Sequence, residues 1–354
     1  MVLTRNGEFV KPNGDTYIPI MVSSVKTNWI FGGDLCYHTA KRAGGLALVR
    51  DHYNTKLKKY LDAAWGPDAL YVHLSSPIVS SQLGLPTFGQ LTESMIRKDR
   101  LTTPVAYDDM LEAASGLYEA HPGIIGWNIV EPAWEAIFAG NSPSFVAEQI
   151  LTICRAYREA APNLPILWSE CGSYSKSRGF TPATFGRVLE AVIKSGFGPE
   201  LLGANSYPTH PEEWGGPDWW PLVHGPDGKP IEGAPILGIS ETGWQPNGTI
   251  GASWDQDRAD RLGVTFPTKA DLKQYSPVPG VNQPTAYKEC LDRWVAFNKR
   301  AIGEFGAKFI AWHSACGHRQ SSGGYIPWGP MDPLSGYWHP PEEVRAAVEE
   351  SRGS

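Results

Sequence analysis

The sequence predicts an α/β protein of the (β/α)8 TIM barrel class, a single domain over residues 1–354 with long insertions in its βα loops. Three observations carry this expectation. Eight short apolar runs alternate with longer segments of helical period, at intervals of roughly 30–40 residues, which is the rhythm of βα units in a parallel sheet. Eight is also the number of strands that closes such a sheet on itself. The competing open, doubly wound sheet usually carries a G-x-G-x-x-G phosphate fingerprint after its first strand, and the chain has none there.

The strand candidates, in order, are Tyr17–Val22, Leu46–Arg50, Ala69–Leu74, Ile124–Val130, Pro165–Ser169, Leu201–Ser206, Pro235–Ile239 and Lys308–Trp312. Each is a short apolar run bounded by turn formers or polar residues, as a strand buried on both faces should be. Between and after them, apolar positions recur at helical spacing over Tyr107–Ala120, Ser144–Ala160, Pro182–Ser195, Thr285–Phe305 and Pro341–Glu350. Two of these helices open on clear start signals. Ser142 stands three residues before Phe145, and Thr181-Pro182 offers an N-cap followed by proline at the first helical position.

Composition narrows the partners. Thirty-one Lys+Arg against 37 Asp+Glu give a net charge of −6, with no basic stripe for nucleic acid or an anionic membrane surface. No run of 18 apolar residues is present, so no transmembrane helix is expected. The start, Met1 to Ile20, lacks the charged and apolar regions of a signal peptide, which leaves a cytoplasmic location or secretion with the signal removed. Five widely spaced cysteines without a C-x-x-C pair favour buried thiols over a disulfide framework or a zinc ribbon. Aromatic residues are abundant, with 14 Trp, 14 Tyr and 12 Phe, and rings of this kind serve either a core or a flat, half-apolar ligand.

In a barrel of this class the chemistry sits where strands end and βα loops begin. Read in order, those positions offer Lys26 and Trp29, then Arg50 and His52, then His73, Ser75 and Ser76. Glu131 and Trp134 follow the fourth run, Glu170 the fifth, and Asn205, Tyr207 and His210 the sixth. Glu241 and Trp244 follow the seventh, and Trp312 and His313 end the eighth.

Two of these positions are carboxylates at strands four and seven, on nearly opposite sides of the barrel mouth. One lies in Gly126-Trp127-Asn128-Ile129-Val130-Glu131-Pro132 and the other in Gly238-Ile239-Ser240-Glu241-Thr242-Gly243-Trp244. Two opposed carboxylates about 5–5.5 Å apart are what retaining glycoside hydrolysis needs, one ionised as nucleophile and one protonated as acid. Glu170, in Leu167-Trp168-Ser169-Glu170-Cys171-Gly172, competes as a partner that supports the catalytic groups from behind or as the acid itself.

The same segments resemble clan A retaining glycoside hydrolases. Trp127-x-x-x-Glu131-Pro132 is similar to the strand-four N-E-P pattern of family 5, and Ile239–Trp244 to the nucleophile strand of family 17. Tyr71–Pro77, Asn205-Ser206-Tyr207 and Pro235–Glu241 resemble segments of the family 72 β-1,3-glucanosyltransferases. The resemblance implies Glu131 as acid/base and Glu241 as nucleophile, with Tyr207 bonded to the nucleophile and Arg50 holding it ionised. It further implies Trp312 as the sugar platform; His73, Asn128, Trp134, Asn205 and Trp244, in or near the same strand ends, are further candidates for substrate contact. It implies a carbohydrate substrate, a β-glucan above a β-mannan or simple glycoside, and neither a metal nor an organic cofactor.

The chain departs from the clan in carrying Val130 where Asn usually precedes the acid/base and contacts the sugar 2-OH. Asn128 can substitute if the strand end bulges, and Asn205 or His73 are other candidates for that contact. The same departure supports an alternative, a catalytically impaired barrel that binds carbohydrate. A lyase or aldolase needs an activated lysine, for which Lys26 is the strand-end candidate. His313, Cys316 and His318 are too close on one loop, without an outside carboxylate, to make a good metal set. The insertion Pro211–Pro230, with Trp214, Trp219 and Trp220, is expected to wall the cleft, and Trp244–Pro279, with Trp254, to face it. Oligomeric state is not legible.

Overall fold

A computed structural model describes residues 8–11, 13–23, 58–66, 70–72, 87–89, 104–120, 123–208, 211–243, 283–313 and 339–353, together with five isolated two-residue strands. Its centre is a closed barrel of eight strands. In chain order these are β1 (Ile20–Ser23), β2 (Tyr71–Val72), β3 (Thr87–Gly89), β4 (Ile124–Val130), β5 (Ile166–Cys171), β6 (Leu201–Asn205), β7 (Ile236–Thr242) and β8 (Ile310–His313). Every neighbouring pair is parallel, and β8 returns to β1.

The helices are α1 (Lys58–Trp65), α2 (Tyr107–Ala120), α3 (Pro132–Phe138), α4 (Pro143–Ala160), α5 (Pro182–Lys194), α6 (Gln283–Gly303) and α7 (Pro341–Ser351). The (β/α)8 class is therefore correct, and seven of the eight expected strand segments overlap barrel strands. The exception is Leu46–Arg50, which lies outside the described residues. The barrel closes without it, because Tyr71–Val72 pairs directly with β1. The third place is taken by Thr87–Gly89, three residues whose single large apolar side chain, Phe88, made too short a run to stand out. Strands four and seven keep their places.

Two apolar layers hold the barrel. Met21, Phe88, Ile125, Leu167, Leu201, Ile236 and Ala311, drawn from β1 and from β3 through β8, pack on one another. Side chains from opposite sides of a closed sheet can meet only in its interior. Phe9, on a small antiparallel sheet (Val2–Leu3, Phe9–Val10, Thr16–Tyr17), plugs this interior layer and meets Phe309 edge-on at 6.1 Å. The outer layer joins barrel to helices. Trp127 of β4 stacks on Tyr157 of α4 at 4.5 Å, and Trp168 of β5 meets Phe185 of α5 edge-on at 5.6 Å.

Two predicted caps are present. Ser142 Oγ accepts from the Phe145 N–H at 3.3 Å, and Thr181 with Thr184 forms a reciprocal capping box. No helix among the described residues is long and apolar enough to cross a membrane.

Candidate active site

The barrel interior changes character along its axis. Above the apolar layer, Ser169 Oγ donates to Asn128 Oδ1 at 2.9 Å, both residues being fully buried. One level higher, at the strand ends, lie Glu131, Asn205, Ser240, Glu241 and His313.

Glu131 follows β4 directly. Its backbone is left-handed, φ 45° and ψ 39°, and it is the only non-glycine residue with positive φ among those described. Such a conformation costs on the order of 1–3 kcal/mol for a side chain of this kind. The sequence contributes to it, because the proline that follows disfavours the right-handed helical well for the residue before it. The strand-side anchor is the Glu131 N–H donated to Ser169 O at 2.7 Å. Glu131 Oε1 accepts from Asn205 Nδ2 at 2.9 Å, and Asn205 Oδ1 in turn accepts from Ser240 Oγ at 2.8 Å.

Glu241 owes its direction to a bulge. Ile239 pairs with Ala204 and Ile310, but the next pairs are Glu241 with Asn205 and Thr242 with Trp312. β7 thus carries one residue more than either neighbour, and the bulge lets Ser240 and Glu241 both serve the mouth. Two glycines make room. A Cβ on Gly203 would lie 2.5 Å from Ser240 Cβ, and one on Gly243 would lie 2.7 Å from the Tyr207 ring.

Tyr207 Oη donates to Glu241 Oε2 at 2.6 Å, and His313 Nδ1 stands 3.9 Å from Glu241 Oε1. Burial, then the charge of Glu241 and the bond to it, then the charge of Glu131, hold the Tyr207 phenol well above its ordinary pKa. Tyr207 therefore remains the donor.

Glu170 does not line the mouth. It is fully buried and lies on the outward side of β5 with Trp168, whose indole N–H it accepts at 3.0 Å. It also accepts from Cys171 N at 3.0 Å, Ala133 N at 3.0 Å and Trp134 N at 3.2 Å. Burial pushes this carboxyl up to about 8, the Glu131 charge pushes it the same way, and the N–H donors oppose them.

Several expectations change. Trp312 does not form a platform at the mouth: it is fully buried and faces the helix layer, 3.9 Å from Trp294 and 5.2 Å from Trp65 between ring centroids. Its neighbour His313 faces the site instead. Asn128 sits a level below the strand ends, and the β4–β5 register is regular through Val130, so the bulge that would have raised it is absent. Trp134, half-buried, packs edge-on against Phe180 at 5.3 Å, with the Arg178 guanidinium 5.3 Å above its ring.

Trp219 and Trp220 are buried, and Trp214 packs on Phe297 and Phe305 of the α6 region, so this insertion closes core rather than offering its rings to a cleft. Arg50, His73, Trp244 and Trp254 lie outside the described residues. Ser240 was not foreseen, since a bulge has no signature in residue pattern beyond the flanking glycines. No group of three or more His, Cys, Asp and Glu able to hold a metal occurs among the described residues.

The barrel fold is shared with solved structures of glycoside hydrolases. The chain superimposes on a GH2 β-galacturonidase from Eisenbergiella tayi with a TM-score of 0.53 and 14% identity, over 95% of this chain and 51% of that one. It is similar to the agarase AgWH50C, with a TM-score of 0.58 and 11% identity over 97% and 61%. It is also similar to a GH5_18 protein from Streptomyces cattleya solved in complex with Manb1-4GlcNAc, with a TM-score of 0.55 and 13% identity over 95% and 81%. The chain spans about half the length of the β-galacturonidase. No protein-family model and no curated protein matches its sequence.

Proposed function

We propose that the protein is a retaining glycoside hydrolase or transglycosylase acting on a β-linked glycan. The observation that carries this reading is the connected set at the ends of β4, β6 and β7, in which Asn205 orients Glu131 and Tyr207 orients Glu241. Glu241 attacks the anomeric carbon, forming an O–C1 ester bond as the C1–O bond to the leaving group breaks. Glu131 gives its proton to the departing oxygen. Glu131, now ionised, then takes a proton from water or from an acceptor sugar hydroxyl, whose oxygen displaces Glu241 and restores the starting configuration. Tyr207 donates to Oε2 and leaves Oε1 of Glu241 toward His313, so the nucleophile is held before substrate arrives.

A β-glucan is the favoured substrate by the segments similar to families 17 and 72. A β-mannosyl substrate is the alternative, supported by the family 5 resemblance and by the β-linked disaccharide in the Streptomyces cattleya structure. A second reading, a barrel that binds carbohydrate without turnover, is favoured by Val130. It predicts saturable oligosaccharide binding, no turnover, and activity created by Val130→Asn.

Activated aryl β-glycosides separate these readings. Glu241→Ala is expected to lose at least about a thousandfold in kcat and to be rescued by azide as the inverted α-glycosyl azide. Glu131→Ala should retain activity best on substrates with good leaving groups and give the β-glycosyl azide. Equal activity of both variants and the wild type would sink the assignment.

A further inference from the structure

Glu131 occupies the N-cap position of α3, where a side-chain oxygen, most often of Ser, Thr, Asp or Asn, accepts from the N–H of the second or third helical residue. Here its side chain makes no capping bond. Pro132, at the first position, has no N–H to offer. The next two donors, Ala133 N and Trp134 N, both go to Glu170, which reaches them from the neighbouring strand at 3.0 and 3.2 Å. Two further bonds, from the Trp168 indole and the Cys171 N–H, fix the Glu170 carboxyl itself.

We propose that Glu170 is a positioning residue for the reaction: it caps α3 in place of Glu131, and so keeps the Glu131 carboxyl directed to the barrel mouth. The proposal rests on the reading of Glu131 as acid/base. Fully buried behind the barrel wall, Glu170 touches no ligand at the mouth and acts through Glu131 alone. The left-handed backbone at Glu131 gives the arrangement its purpose. A strained strand-to-helix turn persists only where its surroundings over-determine it. Here the Ser169 carbonyl holds the strand side through the Glu131 N–H, and Glu170 holds the helix side. Without Glu170, the Ala133 and Trp134 N–H groups lose their acceptor, and the carboxyl at the N-cap itself, now bonded to Asn205, is that of Glu131. Capping and proton donation then compete for one side chain.

This competition has a kinetic signature that a merely structural cap lacks. Departure of 2,4-dinitrophenolate needs no proton from the enzyme, whereas departure of unsubstituted phenolate does. Glu170→Gln keeps the side-chain volume but turns an NH2 group toward N–H donors. Glu170→Asp keeps the carboxyl group and withdraws it by one methylene. The test compares kcat/KM for 2,4-dinitrophenyl and phenyl β-glycosides, in the glucosyl and mannosyl series, using the full chain.

For both variants we expect at least about a tenfold loss on the phenyl glycoside and less than about a twofold loss on the dinitrophenyl glycoside. A crystal structure of Glu170→Gln should show Glu131 out of the left-handed region. Equal losses on the two leaving groups, or none on either, would overturn the proposal. Should Glu131→Ala itself show no dependence on leaving group, the acid/base reading fails instead. Where Glu170→Gln does not fold, Glu170→Asp decides by the same comparison.

Discussion

A carboxyl with no exposed surface, four N–H donors and a second acid beside it makes Glu170 sensitive to pH in a definite direction. Its folded pKa of about 8 stands above the ordinary 4.5, so folding favours the protonated form. The contribution to stability is therefore fully present below about pH 4.5 and is lost as pH rises through about 8. Thermal unfolding of the wild type minus that of Glu170→Gln, followed from pH 5 to 9, should show an advantage for the wild type that shrinks with rising pH. A constant difference across that range would contradict the assignment. Glu131 itself was visible in sequence because Pro132 and the preceding apolar run mark a strand end. Its left-handed backbone was not, because that conformation is imposed by partners on β5 far away in the chain.

At the level of elements, the lengths of β4 and β7 explain why their ends were easy to find. Both have seven residues, long enough for an apolar run to stand above its surroundings. β3, with three residues, is held by pairing on both sides and needs no such run. The β7 bulge is a tertiary feature, defined by a mismatch with both neighbours rather than by any residue of its own. The glycine at 243 matters for the space beside it, since a methyl group there would meet the Tyr207 ring at 2.7 Å. Gly243→Ala should displace Tyr207 from Glu241 and lower kcat/KM by about tenfold, corresponding to about 1.4 kcal/mol of transition-state stabilisation. Its unfolding midpoint should stay within a few degrees of the wild type. Unchanged kinetics would show that the phenol does not position the nucleophile.

Across the whole molecule, the described tryptophans mostly serve the core, a use that composition does not distinguish from ligand binding. Trp65, Trp127, Trp168, Trp219, Trp294 and Trp312 are all buried, several of them wedged between barrel and helices. Trp312→Ala should cost about 3–5 kcal/mol of stability through the cavity it leaves, while Trp312→Phe should lower the unfolding midpoint and leave KM within about twofold. A large rise in KM for the phenylalanine variant would return Trp312 to the sugar site.

The general lesson lies in that pair of neighbours, Trp312 and His313. Period-two alternation determines from sequence alone that one faces the barrel interior and the other the helices, but not which. The same holds for Trp168, Ser169 and Glu170 on β5. Sequence by itself determined the barrel class, the places of its last five strands and the strand ends that carry Glu131 and Glu241, because apolar period and strand-end punctuation are local properties of the chain. Which face each strand turns inward, where β7 takes its extra residue and which acid caps α3 were decided by the tertiary structure. These depend on register between strands, and register is set by contacts among residues far apart in sequence.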